Sequence, residues 1–298
     1  MNKEVFIHIG LPKTASTFIR DCVFSKHKDI NYLSSNKFKY GESQIIKGIV
    51  DPNNTSFNSH IEKALIENSG KKVCISNGGF SGNLYNGEGS FLRLQQIKKI
   101  LPYAKLIIVL REQYDYIYSV WSHSVLMGQS ASLKNFLTYR DTSSVYEPFI
   151  WDRIDYANTV QICQNLFGKE NVKIMFFEKL KKSKEDFLKE LFDFIDIEYQ
   201  DIESKEKNKG LQGINLHILR FINEFSKSKG NNGFFQFIPE GFRILAKGYL
   251  INNPVFRVDK KEQVKKLAPA YLKGEIVTSN RKLQQLISTD LKSMGYSV

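Results

Sequence analysis

The chain has 298 residues, a formal net charge of +12, and a composition that is 42% hydrophobic and 13% aromatic. This apolar content supports a sizeable core and excludes an intrinsically disordered chain. No apolar run reaches the roughly 18 residues that a membrane-spanning helix needs. A secretory signal peptide is not expected either, because Lys3, Glu4 and Lys13 interrupt the apolar residues near the N-terminus.

The positive charge indicates the kind of binding partner, and the cysteines indicate the cellular compartment. A charge of +12 favours an anionic partner, although a lysine-coated surface explains it equally well. Nucleic acid is disfavoured as that partner, because the basic residues cluster in candidate phosphate loops and not in a stripe with interleaved aromatics. Cys22, Cys74 and Cys163 lie apart in apolar segments without metal-ligand spacing. They predict reduced core residues and a cytoplasmic location.

Strands and helices alternate along the first 200 residues. Apolar runs predict strands at 4–10, 71–76, 105–110 and 171–177. Segments with helical periodicity predict helices at 14–26, 57–69, 90–100, 113–128, 150–167 and 184–195. This alternation predicts an α/β fold with a central parallel sheet of about four to five strands flanked by helices.

The last third of the chain reads differently. After residue 200 the pattern is mainly helical and shows no clear strands. Within it, residues 233–250 are aromatic and basic. Docking on a membrane surface would account for that composition, but a lid over a binding cleft or a core-packing insert is the favoured interpretation.

The segment FIHIGLPKTASTFI, residues 6–19, joins the first strand to the first helix. A glycine-led turn there directs backbone N–H groups and the positive end of the helix dipole at one spot. Lys13 adds a cation to that spot, and neighbouring Thr and Ser residues add hydroxyls. The pattern predicts a phosphate or sulfate site, with a plain strand–turn–helix as the alternative. It departs from the mononucleotide loop GxxxxGK[ST], because Lys13 lies three residues after Gly10.

No predicted strand delivers a carboxylate beside this loop. The strand at 105–110 is followed by Arg111, and the strand at 71–76 ends in Ser76 and Asn77. Kinases and NTPases use an acidic residue in such a position to hold Mg²⁺. The sequence therefore predicts a site of cations and amides without a metal, which counts against a metal-dependent P-loop kinase.

Four segments in order, HIGLPKTASTFI, IIVLREQYDYIYSVWSH, VKIMFFEKL and KNKGLQG, resemble the PAPS-dependent sulfotransferases, and in particular their bacterial and glycan types. PAPS is 3′-phosphoadenosine 5′-phosphosulfate. The resemblance covers roughly residues 4–220 and implies a P-loop-NTPase-like fold. It implies one domain over 1–298, with a PAPS-binding core at 1–220 and a helical extension at 221–298 on the acceptor side or as a lid.

The resemblance also assigns roles to individual residues. In the family the loop after the first strand grips the 5′-phosphosulfate, which gives that role to Pro12, Lys13, Thr14, Ala15, Ser16 and Thr17. The 3′-phosphate falls to Arg111, Ser119, Lys209 and Gly210. Phe177 occupies the position near the adenine. Asn208 stands where cytosolic members carry arginine.

The general base departs from the family pattern. Relatives often place a glutamate in a context like SNEG, whereas this chain reads SNGG with Gly78 at that position. His123 is the favoured substitute, because it lies four residues after Ser119 on the same helix face. Glu88 in a glycine-rich loop is the second candidate, and His8 is expected to be a core histidine.

The function implied by the resemblance is sulfuryl transfer from PAPS to a hydroxyl acceptor, with release of PAP and no metal. Lys13 would neutralise charge on the leaving oxygen. The expected acceptor is a carbohydrate, either a glycan or a glycolipid, by analogy with the family. Because of Gly78, a PAP-binding protein with impaired catalysis remains an alternative.

Overall fold

The computed structural model of the chain describes residues 4–33, 71–138, 149–203, 211, 213–226, 237–253 and 259–298. The helix predicted at 57–69 lies outside these residues. Among the helices of the described segments, none is both long enough and apolar enough to cross a bilayer.

Within the described residues, five parallel strands form one sheet. They are β1 (Val5–Ile9), β2 (Ile30–Leu33), β3 (Lys72–Asn77), β4 (Lys105–Leu110) and β5 (Val172–Phe176). Their order is β2-β3-β1-β4-β5, and every pairing is parallel. The predicted α/β class and parallel sheet are confirmed. The sequence patterns identified four of the strands and missed β2, whose sequence is INYL.

The helices of the described residues follow the predicted pattern closely. They are α1 (Ser16–Phe18), α2 (Ser90–Ile100), α3 (Gln113–Leu126), α4 (Leu133–Thr138), α5 (Tyr156–Phe167), α6 (Phe177–Lys182), α7 (Lys184–Ile195), α8 (Ile214–Glu224), α9 (Glu240–Asn252), α10 (Lys260–Leu267) and α11 (Ala270–Ile287). The predicted bounds of α2 and α7 are confirmed. α1 continues as a π-helical segment over Ile19–Phe24, so the single α-helix predicted at 14–26 is wrong in that part.

The chain divides into two compact units. A sheet unit comprises Met1–Arg111, Asp155–Ser204 and Thr278–Val298, and a helical unit comprises Glu112–Ile154 and Lys205–Val277. The sequence-based division into a core at 1–220 and an extension at 221–298 follows other bounds and stays a prediction.

The core of the sheet unit lies between the strands and the helices that cover them. β1 is buried at every position, as expected for a strand covered on both faces. One continuous cluster joins Phe6, Ile19, Val23, Cys74, Ile107, Met175, Phe187, Leu191 and Phe192. The three cysteines are free and buried, so their predicted place in the core is confirmed, and their reduced state stays a prediction.

The strand order creates a switch point between β1 and β4. β2 and β3 lie on one side of β1, and β4 and β5 lie on the other. Connections that leave β1 and β4 therefore run toward opposite edges of the sheet, which opens a crevice at the carboxyl ends of these two neighbours. Open α/β sheets bind ligands in such crevices. Here the segments that follow β1 and β4 begin at Gly10 and Arg111.

Candidate functional site

The loop after β1 has an alternating backbone conformation. Lys13 and Ala15 both have φ of 67°, in the left-handed region, whereas Thr14 between them does not. A left-handed conformation costs a non-glycine residue about 1–2 kcal/mol. Such alternation turns successive N–H groups toward one side and forms a concave nest that binds anions. The strain at Lys13 and Ala15 is thus the cost of an anion-binding shape.

The donors of this loop divide into two groups. The Thr14 hydroxyl donates to the Leu11 carbonyl at 2.6 Å, and the Ser16 hydroxyl donates to the same carbonyl at 2.8 Å. These hydroxyls hold the loop closed. Among the described residues, by contrast, nothing accepts a hydrogen bond from the backbone N–H groups of Lys13, Thr14 or Ala15. Those three amides are available to a ligand.

Two cations meet at the loop. Arg111, which directly follows β4 and is only 8% exposed, donates from Nη1 to the Lys13 carbonyl at 3.0 Å. The pKa of Lys13 is lowered, first because the side chain is largely buried and second because of the Arg111 charge. Lys13 forms no ion pair with a carboxylate among the described residues. An anion bound here would therefore offset both burial and mutual repulsion of the two cations.

Aromatic contacts orient Arg111. Its guanidinium lies 4.8 Å from the ring centroid of Phe177, and Lys181 Nζ lies 4.9 Å from the same centroid. The Tyr156 hydroxyl donates to the Arg111 carbonyl at 2.8 Å. Phe177 begins α6 directly after β5, and Lys181 follows it by four residues. Sequence reasoning missed Lys181, although the spacing of four on a helix could have revealed it.

The segment after β3 approaches the loop closely. A Cβ atom on Gly10 would lie 3.3 Å from both Cα and N of Gly78. Beyond Gly78, Arg93 on α2 donates from Nη1 to the Gly79 carbonyl at 2.5 Å. Arg93 is a further cation near this edge of the sheet, and no sequence motif identified it. The Glu88 side chain, the second candidate for the base, is exposed in the same glycine-rich segment.

Ser119 and His123 lie on α3 in the helical unit, and both are half-buried. α3 runs without interruption from Gln113 to Leu126, so the two residues are one helical turn apart, as the sequence predicts. The roles assigned to them stay predictions. Lys209 and Gly210 lie outside the described residues.

Glu112, the carboxylate that follows Arg111, is engaged in the helical unit. Its Oε2 accepts from the Asp115 N–H at 2.9 Å and so caps the start of α3. Its Oε1 lies 3.3 Å from Lys261 Nζ. Burial raises the pKa of Glu112, and the hydrogen bond from Asp115 and the Lys261 charge oppose that rise. Among the described residues, no group of three or more His, Cys, Asp or Glu side chains is arranged to hold a metal.

His8 is a core histidine, as predicted. It is fully buried in β1, and its Nδ1 lies 2.8 Å from the Ser76 hydroxyl on β3. Burial, and secondarily the charge of Arg20, lowers the His8 pKa to about 3. The ring is therefore neutral at physiological pH and contributes to the sheet interior.

The family model described as "Sulfotransferase domain" matches residues 90–219. Over these residues the chain is similar to sulfotransferases. The match confirms the family inferred from the motifs, and it includes Arg111, Ser119, His123 and Phe177. Sulfotransferases of this family use PAPS as the donor and release PAP. The Lys13 loop precedes the matched segment.

Two solved sulfotransferase structures align with the chain, and the first shows a similar fold. The sulfotransferase from Alicyclobacillus acidocaldarius aligns with a TM-score of 0.57 and 15% identity over 97% of each chain. Mouse sulfotransferase SULT7A1, in a complex with PAP, aligns with a TM-score of 0.44 and 15% identity over 97% of this chain and 90% of its own. No curated protein sequence matches the chain significantly.

Proposed function

We propose that this sulfotransferase transfers the sulfuryl group of PAPS to a hydroxyl of a carbohydrate acceptor. The observation that carries the PAPS assignment is the loop after β1, where three N–H groups find no acceptor among the described residues and lie beside Lys13 and Arg111. A polyanion there would meet both amides and cations. The carbohydrate part rests on the likeness of the motifs to glycan-type relatives.

Different residues bind different parts of the donor. Lys13, Thr14 and Ala15 bind the 5′ end through their amides, and Lys13 adds its ammonium group. Arg111 binds the 3′-phosphate, with Ser119, Lys209 and Gly210 as the remaining members predicted from sequence. Phe177 adjoins the adenine and also orients Arg111, because the guanidinium packs on its ring.

The reaction requires positioning, charge stabilisation and one proton acceptor. The acceptor oxygen bonds to sulfur, the bond from sulfur to the phosphate oxygen breaks, and the acceptor proton passes to a base. PAPS supplies the activated sulfuryl group. Lys13 stabilises charge that develops on the departing oxygen. We assign the base to His123, with Glu88 as the second candidate, because Gly78 cannot take a proton.

Calorimetry tests the donor assignment. Wild type should bind PAP without divalent metal and should bind AMP, which lacks the 3′-phosphate, about 2–4 kcal/mol more weakly, the range expected for charge-assisted hydrogen bonds. Arg111→Ala should lose most of this difference. Arg281→Ala, an exposed arginine on α11, is the matched control and should keep it.

Two results would contradict the donor assignment. Equal affinity of the wild type for PAP and AMP would remove Arg111 from the 3′-phosphate site. Binding of MgATP in preference to metal-free PAP would support a metal-dependent kinase instead. A panel of sulfated products from candidate carbohydrates, analysed by mass spectrometry, tests the acceptor class, and sulfation of non-carbohydrate hydroxyls alone would overturn it.

We further propose a cytoplasmic location. All three cysteines are free, and burial raises the pKa of Cys163 to about 12, which keeps its thiol protonated. Free thiols of this kind are typical of reducing compartments. Fractionation of expressing cells checks the location, and recovery outside the cytoplasmic fraction would contradict it.

A further inference from the structure

Helix α9 exposes its apolar side chains and buries a charged one. Phe242, Leu245 and Tyr249 are 55%, 74% and 69% exposed, and they share one face at spacings of three and four. Arg243, by contrast, is only 7% exposed. The core-packing insert expected for this segment is therefore wrong for these side chains.

The exposed apolar surface continues onto α8. Ile214, Ile218 and Phe221 are 49%, 44% and 62% exposed and follow one another at spacings of four and three. The Phe221 ring centroid lies 5.1 Å from that of Phe225, which lies 5.2 Å from that of Phe237. We call this surface the apolar face. It consists of Ile214, Ile218, Phe221, Phe237, Phe242, Ile244, Leu245 and Tyr249.

Hydrogen bonds hold the two helices in this orientation. The Asn215 side chain, buried on the opposite side of α8, donates to the carbonyls of Leu250 at 2.8 Å and Asn253 at 2.7 Å. Asn223 donates to the carbonyls of Val125 and Gln129 on the α3 side. These buried amides fix which faces of α8 and α9 turn inward, so the apolar face is a defined surface of the fold.

Open space surrounds the middle of this face. A Cβ atom added at Gly241 or at Gly248 would meet no heavy atom of the described residues within 4 Å. These glycines flank Leu245 on the same side of α9, at i–4 and i+3. A patch with this many exposed apolar side chains is uncommon on a protein that acts alone and marks an interaction site.

The net charge of the part of the sequence that carries the apolar face bears on the choice of partner. Residues 205–277 carry 14 Lys and Arg against 6 Asp and Glu, which is eight of the twelve net positive charges of the chain. A second copy would bring the same positive charge, and the repulsion would oppose self-association. A bilayer that contains anionic lipids offers an apolar interior and a negative surface together.

We propose that the apolar face docks on the surface of an anionic lipid bilayer. α9 would lie in the plane of the interface with Phe242, Leu245 and Tyr249 at the boundary between headgroups and acyl chains. This proposal stands independently of the sulfuryl transfer proposed above.

Vesicle co-sedimentation of the full chain tests the proposal. Wild type should bind vesicles of equimolar phosphatidylcholine and phosphatidylglycerol and should bind pure phosphatidylcholine far less. Leu245→Asp should weaken binding to the anionic vesicles by about ten- to a hundredfold, because it puts a charge where an exposed leucine side chain would enter the bilayer. Leu92→Asp on α2, where Leu92 is 66% exposed, is the matched control and should bind as wild type does.

PAP affinity, measured on the same variants, shows that both still fold. Three results would overturn the proposal. The first is equal binding of wild type to neutral and anionic vesicles, or none to either. The second is an equal loss of binding in Leu92→Asp. The third is a wild-type dimer in light scattering that Leu245→Asp dissociates, without vesicle binding, because the face would then be an interface between two copies.

Discussion

Lys13 and Arg111 are linked through the backbone of the loop after β1. The hydrogen bond from Arg111 to the Lys13 carbonyl brings a second positive charge near an ammonium group whose pKa burial already lowers. The free protein thus keeps an unfavourable arrangement of charge that a bound anion relieves. Such preorganised charge acts without further rearrangement when the departing oxygen becomes negative.

His123 is proposed as the general base, a role for which relatives often carry a glutamate at the position of Gly78. His123→Ala should lower kcat roughly 10²–10⁴-fold, the usual contribution of a general base, and should leave PAP affinity nearly unchanged. In the wild type, kcat/KM should fall on acidification, because a protonated imidazole cannot accept the acceptor proton. Rates measured across pH with saturating PAPS check both expectations. His217→Ala alters another histidine of the helical unit and should leave the rate intact.

The glutamate that relatives often carry at the position of Gly78 suggests a variant that could rescue His123→Ala. Gly78→Glu in the His123→Ala background should restore part of the rate, since a Cβ at Gly78 meets only the Gly10 carbonyl, at 3.5 Å. If His123→Ala alone retains wild-type turnover, His123 is not the base and Glu88 takes its place.

At the scale of elements, hydrophobic pattern and turn residues were enough to predict most of the sheet unit. α2, α7 and β4 have the predicted bounds because each combines a clear period with a clear end. β2 was missed because INYL is only four residues long and lacks an alternating pattern. The π-helical turn was missed because periodicity does not distinguish the hydrogen bond from the Ser25 N–H to the Arg20 carbonyl, at 3.2 Å, from an ordinary helical one.

The close contact between the segments after β1 and β3 predicts that substitution of Gly10 destabilises the protein more than substitution of Gly78 does. Gly10→Ala should destabilise the protein by about 1–3 kcal/mol, because its Cβ would press at 3.3 Å on the backbone of Gly78, which cannot move without shifting β3. It should also weaken PAP binding, since Lys13 follows in the same loop. Denaturant unfolding and PAP titration measure the two effects.

Gly78→Ala is the matched control for this pair. Its Cβ would make only an ordinary contact of 3.5 Å with the Gly10 carbonyl, and its φ does not lie in the left-handed region. We expect a free energy of unfolding within about 0.5 kcal/mol of the wild-type value, as for substitutions that meet no special structural feature. Equal destabilisation of the two variants would mean that the close approach does not constrain the loop.

For the whole molecule, parallel topology explains why residues far apart in sequence share one edge. Leu110 on β4 is paired in register with Phe176 on β5, so the side chains that follow, Arg111 and Phe177, meet at the same level. Motifs located both residues in the sequence. They did not locate Arg93 and Lys181, because these reach the same edge from helices, and their approach depends on packing that a strand-end pattern does not encode.

The buried histidine of β1 makes stability of the whole sheet depend on pH. The His8 pKa is about 3 in the folded chain against an ordinary 6.5, so the folded state binds fewer protons between those values. The stability that the neutral His8 ring contributes is fully present above about pH 6.5 and is lost as the pH falls toward 3. From this residue alone, the free energy of unfolding should fall by about 1.4 kcal/mol per pH unit in that window.

A double variant isolates this effect. His8→Phe combined with Ser76→Ala removes the titrating ring without leaving the Ser76 hydroxyl unpaired in the core. Its free energy of unfolding is measured by urea titration at several pH values. On acidification it should decline less steeply than that of the wild type, and the difference in slope should correspond to about one bound proton. Ser76→Ala alone keeps the ring and should keep the wild-type slope. Parallel pH dependences of the double variant and the wild type would show that His8 is protonated in the folded sheet, which its complete burial beside Phe24 makes unfavourable.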